Sequence, residues 1–293
     1  MGIVLHIFNT IAPVVLTVSV GAIWVWVGRP FPTEFITTFA TRIAVPALIV
    51  SVLAASDLDP TNATTLFGAA FVSYILALAV FCGLLAGLGL SFQTYLAPMT
   101  FGNTGNLGLP LALFAFGDEG LASAVIIFTV TSVLAFTAGV AIVAGQVSGR
   151  RVFQEPILWA TLLGVGLLFT DTDVPDWLMS FLDLVGQMAI PLVLVTLGVS
   201  LARLRAPKLP VAAGLSCAKI ALCAAVAWGV GVMFGLPPLA RSVLILQMAT
   251  PVAVTSYMLA ELYDAEPEAV AALVMTSTLI FLIVLPPMLS VLI

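Results

Sequence analysis

The stretch Phe101–Leu111, "FGNTGNLGLPL", lies inside a long apolar run and decides how the whole chain is read. It holds three glycines, two asparagines and a proline. Glycine and proline weaken a helix, and a polar side chain without a partner is costly in hydrocarbon. Non-helical backbone survives at membrane depth only where it is buried in protein or lines a cavity. The stretch therefore has to be weighed against the rest of the chain.

Of the 293 residues, 62% are apolar and 8% are charged, against about 25% charged in a soluble domain. This is the composition of a multi-span membrane protein. A helix needs about 20 apolar residues to cross a core of about 30 Å. A transmembrane β-barrel would alternate polar and apolar residues. Runs such as "AVFCGLLAGLGL" (79–90) do not alternate, so the expected fold is all-α. The N-terminal "MGIVLHIFNTIAPVVL" has no Lys or Arg before its apolar stretch and reads as the first span, not as a signal peptide. Cys82, Cys217 and Cys223 lie in apolar runs without CxxC or zinc spacing and read as buried thiols. The lone His6 cannot build a metal site. No HExxH and no phosphate-binding loop occurs, so no enzyme, metal, cofactor or nucleic-acid partner is expected. The net charge of −5 comes from loop carboxylates.

Cutting at charge and Pro/Gly clusters predicts ten transmembrane helices: 3–28, 33–55, 64–90, 93–116, 120–146, 155–171, 176–202, 208–234, 239–262 and 268–292. Internal matches follow. "RIAVPALIVSVL" (42–53) resembles "QMAIPLVLVTLG" (187–198), which sets Pro46 on Pro191. "FGDEG" (116–120) faces "YDAEP" (263–267), and "PFPTEF" (30–35) faces "DVPDWL" (173–178). The offsets of 145, 147 and 143 cluster near half the chain length. The reading is a duplication, with a first five-helix repeat at 1–146 and a second at 155–293. Five is odd, so the second repeat is inverted relative to the first.

Loop charge sets the orientation. Arg29, Arg150, Arg151, Arg203, Arg205 and Lys208 fall on one side. Asp57, Asp59, Asp118, Glu119, Asp171, Asp173 and Asp176 fall on the other, with Arg241 as the one basic residue there. The positive-inside rule then places both termini outside.

Span 9 carries its own interruption, "MATPVAVTSY" (248–257). At an offset of 147, Asn103 faces Thr250 and Thr104 faces Pro251. Broken spans in matching positions point to a transporter site near the midplane. Each break creates a half-helix N-terminus with free N–H groups, which favours an anion. The expected substrate contacts are Asn103, Thr104, Gly105, Asn106, Pro110, Thr250, Pro251, Thr255 and Ser256. Ionisable or polar groups within spans are functional candidates. Lys219 lies about 16 Å into span 8 at about 1.5 Å per residue. It either balances a carboxylate substrate, stands in for a cation, or holds a backbone carbonyl or Asp183. Gln247 and Asp183 are further candidates for coupling or charge balance. Arg42 is expected to make a structural tie, for example to Asp183.

The segment "NTGNLGLPLALFAFG" (103–117) resembles the first crossover of the auxin efflux carrier family, the PIN-like transporters. In that family an Asn-Thr pair precedes Gly-x-Pro-Leu, here Asn103, Thr104, Gly108, Pro110 and Leu111. "TPVAVTSYMLAELYDAEPE" (250–268) resembles the second crossover through Pro251, Ala260, Tyr263, Pro267 and Glu268. The resemblance implies a scaffold domain of spans 1, 2, 6 and 7 and a transport domain of spans 3–5 and 8–10. It also implies crossing, broken spans 4 and 9, elevator-like movement and a homodimer. Plant members have a long loop between spans 5 and 6, whereas this chain has "GQVSGRRVFQEP", which fits a compact bacterial member in the inner membrane.

The sequence thus predicts a secondary or facilitative carrier of small organic anions. One alternative is a sodium-coupled solute symporter of the bile-acid-transporter type. Another is a membrane sensor that binds a ligand without flux. A coupling sodium ion or proton stays open at this point.

Overall fold

In the computed structural model, apolar runs bounded by proline, glycine and aspartate become helices. It describes residues 2–56, 58–145, 155–170, 172, 174–204 and 209–293. Among the residues that set the expected orientation, Arg150, Arg151, Arg205, Lys208, Asp57, Asp171 and Asp173 lie outside the described residues.

The first half begins with α1 (Gly2–Trp26) and α2 (Thr33–Phe39). A π turn (Ala40–Ala44) leads from α2 into α3 (Val45–Ala54). Next come α4 (Pro60–Leu88) and α5 (Phe92–Thr100). A second π turn (Thr104–Gly108) opens α6 (Leu109–Leu134), and a third (Ala135–Gly139) leads into α7 (Val140–Ala144). The second half holds α8 (Pro156–Thr170), α9 (Asp176–Gly186), α10 (Ala189–Arg203) and α11 (Leu209–Met233). It ends with α12 (Pro238–Ala249), α13 (Val254–Leu262) and α14 (Pro267–Leu292).

Among the described residues, seven continuous stretches are long and apolar enough to cross a membrane: 4–26, 33–54, 60–88, 104–144, 176–203, 211–233 and 267–292. The expected count of ten differs for physical reasons. The expected spans at 93–116 and 239–262 are each cut, so no piece reaches the length a lone span needs. The expected spans ending at 116 and starting at 120 run on as one helical stretch, divided at Gly117, whose φ is 68° and ψ −158°. Pro156–Thr170 is apolar but has 15 residues, about 22 Å of helix.

Helix ends follow local chemistry. Asp59 caps α4, its carboxylate accepting from Thr61 N (2.7 Å) and Asn62 N (3.2 Å). The Asn62 and Thr61 N–H groups hold its carboxyl below the usual carboxylate range. Gly89 closes α4 in the left-handed region, with Leu90 N donating to Leu85 O at 3.0 Å.

The helices pack in two groups. In the first, α1 lies along α10, and α3 packs on α8 and α9. A β-carbon at Gly21 would collide with the Val195 carbonyl, and one at Gly198 with the Val18 carbonyl. A β-carbon at Gly164 would press on Leu53 in the same way. Small residues at such contacts let helix backbones approach closely. In the second group, α11 packs on α12, α14 and α4, α12 packs on α6, and α4 packs on α5 and α6. The two groups meet largely through α6, which touches α1, α3 and α8.

Polar contacts mark that seam. Thr129 and Thr161 join their hydroxyls at 2.8 Å. Because Gly117 ends the helical ladder, the carbonyls before it need other donors. Thr10 Oγ1 donates to Phe114 O and His6 Nε2 bonds Ala115 O, both at 3.1 Å. Large apolar side chains such as Phe8, Trp26, Phe67, Trp177 and Phe181 stay exposed. A lipid-facing surface accounts for them.

Candidate functional site

The site forms where the two interruptions meet. Helix α5 stops at Thr100 and α12 stops at Ala249. Gly102 and Val252 pair as an isolated antiparallel bridge. Asn103 N donates to Pro251 O at 2.7 Å. The second segment thus supplies an acceptor for an N–H that the first lost with its helix. The Asn103 carbonyl accepts from both Leu107 N (3.1 Å) and Gly108 N (3.2 Å), which winds the following turn as a π turn.

The second break is braced by side chains from neighbouring helices. Thr250 O accepts from Lys219 Nζ at 2.8 Å, and Lys219 is fully buried in α11. Val252 N donates to Ser277 Oγ of α14 at 3.0 Å. Thr250 Oγ1 donates to Gln247 O at 2.6 Å. The ends of four helical segments gather here: the C-termini of α5 and α12, and the N-termini of α13 and of the π turn that opens α6. The Lys219 ammonium serves the C-terminal end of α12, where the helix dipole is negative.

Glycines make the crossing possible. At Gly102 a β-carbon would collide with Thr250, and at Gly108 with the Gln247 amide. At Gly105 it would press on the Phe128 ring at 2.9 Å. Three polar atoms of the crossing are buried without a hydrogen-bond partner among the described residues: Asn103 Nδ2, Gln247 Oε1 and Gln247 Nε2.

Of the expected contacts, Asn103, Thr104, Pro110, Thr250 and Pro251 are buried at or beside the crossing. Gly105 and Asn106, in the π turn, are half-buried. Ser256 is half-buried and Thr255 exposed on the first turn of α13, so Thr255 is not gathered into the buried set. Gln247 is in the cluster. Lys219 holds a backbone carbonyl and not Asp183. Asp183 lies elsewhere, on a cavity of about 570 Å³ lined also by Ser51, Ser56, Asp118 and Glu119. A second cavity of about 350 Å³ shares Ser51, Val52, Asp118 and Asp183 and continues past Leu113, Gln187, Ile190 and Pro191. Arg42 is exposed in its π turn, and its charge acts on Glu155. Ser277 and Phe128 escaped the sequence reading. The one signal for Ser277 was the hydroxyl run "TST" (276–278) inside an apolar helix.

Comparison with known proteins is consistent with this geometry. The profile of the family described as membrane transport protein matches residues 142–289, half of the chain. An uncharacterized transporter of Methanocaldococcus jannaschii is 27% identical over 195 residues. One of Methanothermobacter thermautotrophicus is 29% identical over the same length. In both cases the match spans 63% of this chain and 63% of the relative. A protein of Rhizobium meliloti, provisionally named a malonate transporter, is 24% identical over 268 residues, 84% of this chain and 82% of its own. Apolar helices, buried polar breaks and a matching family profile lead to one conclusion: the chain belongs to the membrane transport protein family that includes the PIN-like auxin efflux carriers.

Proposed function

We propose that the protein is a secondary or facilitative carrier of small organic anions that binds its substrate at the crossing of the two broken segments and works by alternating access. The observation that carries this reading is the pairing of Gly102 with Val252 beside the unpartnered Asn103 amide nitrogen. Two half-helix N-termini there offer free N–H groups to an anion. Asn103, Thr104, Gly105, Asn106, Pro110, Thr250, Pro251 and Ser256 line the site in this proposal; Thr255 is its outermost member.

The proposed architecture is ten spans in two inverted repeats. Two correspondences support it. Gly117 and Asp264, equivalent at the offset of 147, both have positive φ, 68° and 53°. Gly164 sits at Leu53 and Gly198 at Val18, and the offsets of 145 and 146 exchange these two contacts. The group of α1–α3 and α8–α10 serves as scaffold, and the remainder moves against it in elevator fashion, with both termini outside. The confluent cavities along Leu113, Gln187 and Pro191 fit an approach path at that seam. A homodimer in the bacterial inner membrane completes the proposal.

Lys219 takes up the Thr250 carbonyl exposed by the break, leaving one oxygen fewer for a cation there, which favours a sodium-independent carrier over the bile-acid type. The name of the Rhizobium meliloti relative makes malonate the first substrate to try. In proteoliposomes Asn103→Ala is expected to cut carboxylate flux about tenfold or more. Its stability stays unchanged, because the amide nitrogen it loses has no protein partner. Full flux in that variant refutes the site assignment.

A further inference from the structure

Gln247 is fully buried near the end of α12, and neither atom of its side-chain amide has a hydrogen-bond partner among the described residues. Its backbone carbonyl is already engaged, accepting from Thr250 Oγ1 at 2.6 Å and Thr250 N at 3.3 Å. Its amide head lies against Gly108, where any β-carbon would collide with it. Gly108 N itself donates to the Asn103 backbone carbonyl at 3.2 Å. Asn103 is 4% exposed and its Nδ2 is also unpartnered. Gly108 thus touches the Gln247 amide and is hydrogen-bonded to the backbone of Asn103, so the residues that carry the two free amides, one from each crossing segment, both contact this glycine.

Buried amide groups without partners cost free energy and are rare unless a ligand or water completes them. The chemistry of this pair is specific. Asn103 Nδ2 and Gln247 Nε2 donate, while Gln247 Oε1 accepts. Turning the Gln247 amide over exchanges its two atoms without changing that set. A fully ionised carboxylate has acceptors alone, so it satisfies the donors and faces Oε1 with like partial charge. A carboxylic acid group matches a primary amide on both atoms: its carbonyl accepts from Nε2 and its O–H donates to Oε1. An ionised carboxylate belongs at Asn103 Nδ2 and the half-helix N-termini.

We propose that Gln247 is a specificity-determining residue that binds the protonated carboxyl of a singly protonated dicarboxylate, whose second, ionised carboxylate is held at Asn103. This rests on the reading of the crossing as the substrate site. One proton then crosses with each substrate molecule, carried on the substrate's own oxygen.

The test uses purified protein in proteoliposomes at equal pH on both sides, with labelled malonate as probe. Between pH 7.5 and 6.5 the monoanion becomes about tenfold more abundant if its second pKa lies below that range. The expected result is a matching fall in KM with little change in maximal rate. Monomethyl malonate, which lacks the O–H, should compete about tenfold more weakly than malonate below pH 6. Gln247→Met, similar in volume, should raise KM about tenfold and abolish that discrimination, while its melting temperature and elution profile show that it folds. Hydroxymalonate binding more tightly than malonate, with no pH dependence, would assign the Oε1 partner to a hydroxyl and overturn the proposal. So would an unchanged KM and pH profile in Gln247→Met, or the absence of pH-dependent malonate uptake by the wild type. Asn103→Ala separates the two readings. If Asn103→Ala is inactive and Gln247→Met is normal, the crossing stands as the site and the acid-proton assignment falls. If both are normal, the site itself falls.

Discussion

The two interruptions occupy matching places in the two halves, yet they are held in different ways. The first, at Phe101–Asn103, is short of side chains and takes support from backbone: Asn103 N reaches Pro251 O, and the Asn103 carbonyl collects Leu107 N and Gly108 N. The second, at Thr250–Ala253, is braced by imported side chains, Lys219 on its carbonyl and Ser277 on an N–H. Glycines let the first strand approach, and long or polar side chains from α11 and α14 pin the second. Asn103 of the first and Gln247, just before the second, keep unpartnered side-chain amide atoms. A pinned strand gives a binding site a fixed wall, and a glycine-rich strand gives it close backbone approach.

The difference can be tested from its strongest term down. Lys219→Ala removes the brace, leaves Thr250 O without its donor and opens a cavity, so it is expected to cost about 3 kcal/mol or more. Detergent-solubilised protein should melt about 2–4 °C lower per kcal/mol. Lys219→Met, which keeps most of the volume, should recover part of that loss, and a melting temperature equal to wild type in Lys219→Ala would show that the second strand is not pinned there. On the other strand, Gly102→Ala drives a β-carbon into Thr250. Overpacking of this kind costs about 1–3 kcal/mol, and an unchanged melting temperature would mean that the strands can separate freely. The smallest effect lies at the far ends of the half-helices. Gly117, at φ 68° and ψ −158°, occupies a region essentially closed to other residues, so Gly117→Ala should cost about 1–3 kcal/mol. Asp264, its counterpart, is left-handed but tolerable for aspartate, so Asp264→Gly should change stability by less than about 1 kcal/mol. Equal responses at both sites would erase the asymmetry between the halves.

Much of the fold was legible in order along the chain. The expected spans at 64–90 and 268–292 became helices at Pro60–Leu88 and Pro267–Leu292. Asp59, Pro60 and Gly89 act within a few residues of themselves, so helix ends lie close to where local chemistry puts them. The breaks were legible for the same reason, because glycine and proline change the backbone wherever they stand. The pairing register was not: the offset of 147 aligned Asn103 with Thr250 as repeat equivalents and carried nothing about which residues meet, and in the fold Gly102 meets Val252 and Asn103 meets Pro251. A register depends on how two distant helices enter the crossing.

The side-chain partners divide along the same line. The depth of Lys219 in its span could be counted from the sequence, but its partner could not. Asp183 was one candidate, yet it lines a cavity in another part of the molecule while Lys219 holds Thr250 O. The π turns and the bonds from His6 and Thr10 to the carbonyls before Gly117 carried no signal, since each answers a hydrogen-bond need created by the surrounding fold.

Residue order alone specifies that this chain is apolar, helical and broken twice, because burial preference and backbone freedom act over a few residues. Which unsatisfied groups find each other across the molecule, and which three amide atoms of the crossing stay unpartnered, depends on distances between helices more than a hundred residues apart in sequence. Those distances exist after packing and not before it.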